Sequence, residues 1–141
     1  MVFNKEVAPK NETNFMEWYE NQIQWSENNS FDDLENTSED LKDWFMDIKN
    51  TFPAKIGPFS SDDEDDPKIT DFRIGKNFVQ ASFDPSQAEL AYPTMFMLAG
   101  KHKVGFFDKS AKYGIFFPDK NGSLKSLKGK KESRKSWWKF W

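Results

Sequence analysis

The chain contains no cysteine and a single histidine, His102. Without cysteine there is no disulfide framework, no thiolate metal site and no cysteine nucleophile. One histidine cannot build a His-rich metal site. Glycine is scarce, at seven residues, and none forms a phosphate-cradling loop. No G-x-S-x-G or H-E-x-x-H pattern occurs. No apolar run approaches the ~18–20 residues that a membrane-crossing helix needs. Met1 to Lys10 shows no apolar signal-peptide core, so the expected location is cytoplasmic.

What is present is aromatic and charged. Of 141 residues, 15 are Phe and 6 are Trp, and aromatics make up 17%. These large side chains offset the low apolar content of 37%. The length suits one domain with a core of its own. Charge is split along the chain. Residues 1–118 carry 21 acidic and 12 basic side chains, a net −9. Residues 119–141 carry eight basic and two acidic, a net +6. We therefore read 1–118 as a single α+β domain and 119–141 as a basic, Trp-rich tail.

Periodicity places the elements. Asn14 and Glu17 read as a capping box, with Phe15, Trp18, Tyr19 and Ile23 at helical spacing behind them. A second helix is expected from Thr37 or Ser38, carrying Leu41, Trp44, Phe45, Ile48 and Phe52 on one face, and Pro53 stops it. The two should pack as a helical hairpin. Val2, Phe3 and Val7 lie in a loose leader that has the makings of a short edge strand. Thr70–Ile74 and Phe78–Phe83 read as a β-hairpin turning at Gly75-Lys76-Asn77. Asp84-Pro85-Ser86-Gln87 opens a third helix. Pro93 should kink or break that helix, and Gly100 with its flanking lysines should end it. Val104–Phe107 and Gly114–Phe117 complete the order α-α-β-β-α-β-β. The expectation is a mainly antiparallel four-stranded sheet packed by helices. The adjacent pairs Phe106/Phe107 and Phe116/Phe117 must point to opposite faces, so one set needs a cover.

Several clusters have a structural and a functional reading. His102, beside two lysines, reads as a surface or helix-capping residue. Asp62-Asp63-Glu64-Asp65-Asp66 has oxygen ligands enough for Ca²⁺ or Mg²⁺. It lacks the alternation and turn glycine of a calcium loop. It reads better as a solvated loop or a contact surface for a basic partner. Asp71, Asp84 and Asp108 all lie near strand ends, but no spacing makes them an acid/base pair. No catalytic residue, cofactor or metal site is assigned. The tail, with Lys130, Lys131, Arg134, Lys135, Trp137, Trp138, Lys139 and Trp141, suits an anionic membrane or single-stranded nucleic acid. Its other reading is that the aromatics dock on the domain while the lysines stay wet.

One likeness adds to this. Thr70-Asp71-Phe72-Arg73-Ile74-Gly75-Lys76-Asn77, Ala81-Ser82-Phe83, Ser86-Gln87-Ala88-Glu89 and Val104-Gly105-Phe106-Phe107-Asp108 resemble stretches of a group of small bacterial proteins that are themselves similar to immunity proteins. Those belong to polymorphic-toxin and contact-dependent inhibition systems. The resemblance covers roughly residues 15–117 by order of elements. It implies binding without catalysis, directed at a toxin domain. An acidic body would be steered onto a basic toxin. The partner-binding residues would be Asp62, Asp63, Glu64, Asp65 and Asp66, with Asp32, Asp33 and Glu35 as a second group. Pro93 and the basic tail depart from the pattern. The alternative is a module whose tail binds membrane or nucleic acid.

Overall fold

Two-residue periodicity and long aromatic side chains build a sheet whose central strands are buried on both faces. A computed structural model describes residues 1–29 (backbone alone for 27–29), 34–55, 60, 63, 65–112 and 114–127. The elements are β1 (Val2–Phe3), α1 (Glu12–Asn29), α2 (Glu39–Ile48), β2 (Asp71–Ile74), β3 (Phe78–Ser82), α3 (Ala88–His102), β4 (Gly105–Phe107), β5 (Ile115–Pro118) and β6 (Leu124–Ser126). A 3-10 turn, Pro85–Gln87, leads into α3. The sheet runs β2-β3-β1-β4-β5-β6, with every neighbouring pair antiparallel.

The chain is α+β as expected, but the sheet has six strands and not four. The first addition is β1. It is no edge strand: Val2 and Phe3 pair with Val79 and Phe78 on one side, and with Phe106 and Gly105 on the other. Both side chains are fully buried. Two residues carry no readable period, so only their partners reveal the strand. The second addition is β6, inside the segment read as tail. Asp119 makes it possible. Its Oδ1 accepts from the backbone N–H of Asn121 and Ser123, both at 2.9 Å, and its own N–H donates to the Ser123 carbonyl at 2.8 Å. These bonds hold the Asp119 carboxyl below its ordinary range, the Ser123 backbone bond being the largest cause. Gly122 sits in this turn at φ +84°, a conformation that favours glycine. An exposed Lys125 on an edge strand blunts further pairing.

The helices take opposite sides of the sheet. α2 and α3 cover one face, where Leu41, Trp44, Phe45, Ile48 and Phe52 meet Val2, Val79, Phe106 and Phe116. The five predicted positions on α2 and its end are all buried. α1 covers the other face, where Phe15 and Tyr19 meet Phe3, Phe78, Phe107 and Ile115. The expected α1–α2 hairpin therefore does not form. Each adjacent pair (Val2/Phe3, Phe78/Val79, Phe106/Phe107) divides between the two cores, and α1 is the cover the second set required. Rings meet mostly edge-to-face, as in Phe3–Phe15 at 5.0 Å and Phe96–Phe116 at 5.3 Å.

Helix ends differ in detail. Asn11, not Asn14, caps α1: its Oδ1 accepts from Asn14 N–H at 3.1 Å, and its carbonyl accepts from Phe15 N–H at 2.7 Å. α1 runs to Asn29, through the polar residues that follow Trp25. α3 continues unbroken through Pro93. Glu89 and Pro93 are both exposed, so the carbonyl that Pro93 leaves without a donor faces water. α3 ends at His102, with Lys103 in the left-handed region (φ 55°) as its C-cap, inside the Gly100–Lys103 stretch expected to end it. Gly100 is pressed against the β5–β6 turn. A Cβ there would lie 2.6 Å from the Gly122 carbonyl oxygen.

Candidate functional site

Strand β2 forms one edge of the sheet, and acidic residues gather at both of its ends. At the start, Thr70 is fully buried and bonds across to residues 53–55. Its N–H donates to the Pro53 carbonyl at 2.8 Å, and its carbonyl accepts from Lys55 N–H at 2.9 Å. The acidic loop is thus rooted in the fold immediately before β2. Asp63 and Asp65 are exposed and Asp66 is half-buried. They fold into consecutive turns: Asp63 Oδ1 accepts from Asp65 N–H at 3.1 Å, and Asp66 Oδ1 from Lys68 N–H at 2.9 Å. Asp71 follows, exposed, on β2 itself.

At the other end, the approach to α2 closes on the β2–β3 turn. Thr37 Oγ1 donates to the Gly75 carbonyl at 3.1 Å, and Ser38 N–H donates to the Lys76 carbonyl at 3.1 Å. Glu35 lies just before this contact and is exposed, as are Glu39 and Asp40 in the first turn of α2. A four-residue strand spans only ~13 Å. The described members of the two acidic groups, Asp63, Asp65 and Asp66 on one side and Glu35 on the other, therefore flank one short edge strand, interrupted by Lys68, Arg73 and Lys76. Asp32, Asp33, Asp62 and Glu64 lie outside the described residues. So do Lys130, Lys131, Arg134, Lys135, Trp137, Trp138, Lys139 and Trp141 of the tail.

A second feature was not read from the sequence. Where β3 and β4 run past the end of β1, a cleft of about 340 Å³ opens. Phe83, Ala88, Tyr92, Met95, Phe106 and Tyr19 line it, with Asp84, Asp108 and Lys109. Asp84 and Asp108, two of the three strand-end carboxylates, thus meet at one cleft, while Asp71 does not. Tyr92 donates its hydroxyl proton to Asp108 Oδ2 at 2.7 Å. Burial, and then this bond, push the Tyr92 phenol far above its ordinary range. Asp84 Oδ1 caps the 3-10 turn through Ser86 N–H at 2.9 Å, which holds its carboxyl below the usual range. The Met1 nitrogen donates to the Phe107 carbonyl at 3.1 Å. Burial lowers this amine to about 6, against the pull of Asp108. Only the three-dimensional meeting of α3 with β4 discloses the Tyr92–Asp108 pair, since sixteen residues separate them.

His102 belongs to a third cluster. Asp47 Oδ2 lies 2.8 Å from Lys101 Nζ and 2.9 Å from His102 Nε2. This joins the ends of α2 and α3 and lowers the Asp47 carboxyl, the Lys101 hydrogen bond being the largest cause. Among the described residues, no group of three or more His, Cys, Asp or Glu comes together to hold a metal ion. No described helix is long and apolar enough to cross a membrane. No family model, no curated protein and no solved structure matches this chain.

Proposed function

We propose that this chain is a non-enzymatic binding protein, of the immunity type, that covers the active surface of a basic toxin domain. The observation that supports this is the acidic margin of β2. Exposed carboxylates at both ends of one edge strand, Asp63, Asp65 and Asp71 at one and Glu35 at the other, give this margin an acidic character, and residues 1–118 carry a net −9. Such a field raises the on-rate for a basic partner and competes with that partner's own anionic substrate. The resemblance to bacterial immunity proteins points the same way.

The test begins with crosslinked capture of the partner by the intact chain and its identification by mass spectrometry. Association is then measured by stopped flow across a salt series. Replacing Asp62, Asp63, Glu64, Asp65 and Asp66 by lysine should slow association by about tenfold or more at low salt and flatten its salt dependence. Unchanged kinetics with the identified partner would remove this surface from the mechanism. A basic partner whose activity survives binding would remove the immunity reading.

A further inference from the structure

The cleft beside β1 has features that the acidic margin of β2 does not explain. Its volume, about 340 Å³, lies at the lower limit for a small-molecule pocket. Its accessible apolar lining comes from Phe83 after β3 and from Ala88 and Tyr92 on α3, while Met95 and Phe106 are almost wholly buried. Asp108 stands at this lining, half-buried. Its Oδ2 accepts from the Tyr92 hydroxyl at 2.7 Å. Its Oδ1 accepts from Ser110 N–H at 3.0 Å and Ser110 Oγ at 2.7 Å. All three donors are neutral. They fix the carboxylate in place without balancing its charge, and the Met1 amine at the same cleft, which burial lowers to about 6 against the pull of Asp108, is a weak counter-ion near neutral pH; such a carboxylate gains most from a cation. Lys109 Nζ, also at the cleft, lies 5.7 Å from the centre of the Tyr19 ring. That ring face therefore already accepts an ammonium group. Asp84 adds a second carboxylate at the same cleft.

We propose that this cleft receives a lysine or arginine side chain of a protein partner. The alkyl stem lies along Phe83, Ala88 and Tyr92, and the cation reaches the Asp108 carboxylate. Apolar walls around a held carboxylate match such a side chain, whereas a neutral side chain leaves the carboxylate uncompensated and an acidic one is repelled. Lys109 is the local competitor, and its removal should favour the incoming cation. This site stands apart from the β2 margin and needs no other surface.

The full, ¹⁵N-labelled chain is titrated by NMR with four capped tripeptides, Gly-X-Gly, where X is Lys, Arg, norleucine or Glu. The Lys and Arg peptides should shift the amides of Ala88, Tyr92 and Asp108, and the other two should not. Asp108→Asn should weaken Lys-peptide binding about tenfold, and Lys109→Ala should tighten it. Asp108 also holds the turn leading to Gly114. Should its variant unfold, Lys109→Ala and the exposed Asp84→Asn, which should weaken binding, decide the matter. Equal shifts with norleucine, a preference for Glu, or no shift at millimolar peptide would overturn the proposal. The readout uses no toxin partner, so its failure leaves the β2 surface untouched, and the reverse also holds.

Discussion

Gly105 is the position where a single methyl group tests the sheet most directly. It pairs with Phe3 across β1 and β4. A Cβ built there would fall 2.1 Å from Cε2 and Cζ of the Phe3 ring. Real contacts do not go below 3.0 Å, so the ring must retreat by about 1 Å. It has nowhere to go. Phe15 lies 5.0 Å from it, Phe117 5.2 Å and Trp18 6.0 Å, centre to centre. Gly105→Ala should therefore cost about 1–3 kcal/mol through overpacking. Phe3→Ala, which empties the same space, should cost about 3–5 kcal/mol. Against a total stability of about 5–15 kcal/mol, both are large. The double variant places the new methyl in the space the ring has left. Its loss should fall short of the sum of the single losses by about 1–3 kcal/mol. Urea unfolding followed by circular dichroism measures all four corners of the cycle. Additivity within about 0.5 kcal/mol would refute the claim that the ring and the missing Cβ compete for one space.

Three further outcomes follow from named contacts. A chain ending at Pro118 should be markedly less stable than one ending at Leu127, because it loses β6 and the Leu124 and Leu127 packing; equal thermal midpoints would contradict this. Gly122→Ala should destabilise by about 1–3 kcal/mol, since φ +84° strains any side chain and the new Cβ would lie 2.6 Å from the Gly100 carbonyl oxygen; calorimetry reads the shift. Asp47 has a lowered carboxyl, so its stabilisation is complete above the ordinary carboxylate value of about 3.9 and is lost as pH falls through the lower folded value. Because Lys101 is well exposed, Asp47→Asn should cost no more than about 1 kcal/mol near neutrality, and urea unfolding at neutral and strongly acidic pH should show that gap closing in acid.

How far the sequence discloses this fold depends on the length of the pattern. The α2 stripe spans three turns, and its apolar positions are the ones that are buried. The alternation in Phe78–Phe83 and the adjacent phenylalanine pairs also carry through, because strand geometry allows only one outcome. Two residues at β1 and three at β6 carry no period; tertiary partners alone make them strands. The side of the sheet that a helix covers is likewise silent, since the aromatic faces of α1 and α2 look alike. Asn14 and Glu17 match a capping box, yet Asn11 wins because the helix starts one turn earlier. At the site level, a run of five acids is legible as charge, but its rooting through Thr70 is not. Tyr92 reads as one more apolar position on α3 until β4 brings Asp108 to it.

The placement of β1 also sets an order of assembly. Met1 bonds to Phe107, 106 residues away. In the described sheet this short strand joins the two halves, β2-β3 and β4-β5-β6. β1 lies more than a hundred residues ahead of its second partner, so that pairing cannot form until β4 is present. Until then β3 exposes an unpaired border, and Phe3 has no Gly105 to rest on. Closure across so long a loop is slow relative to local helix formation. The interval in which this protein is most open to aggregation or to a chaperone therefore ends with the threading of two residues between strands that have already formed.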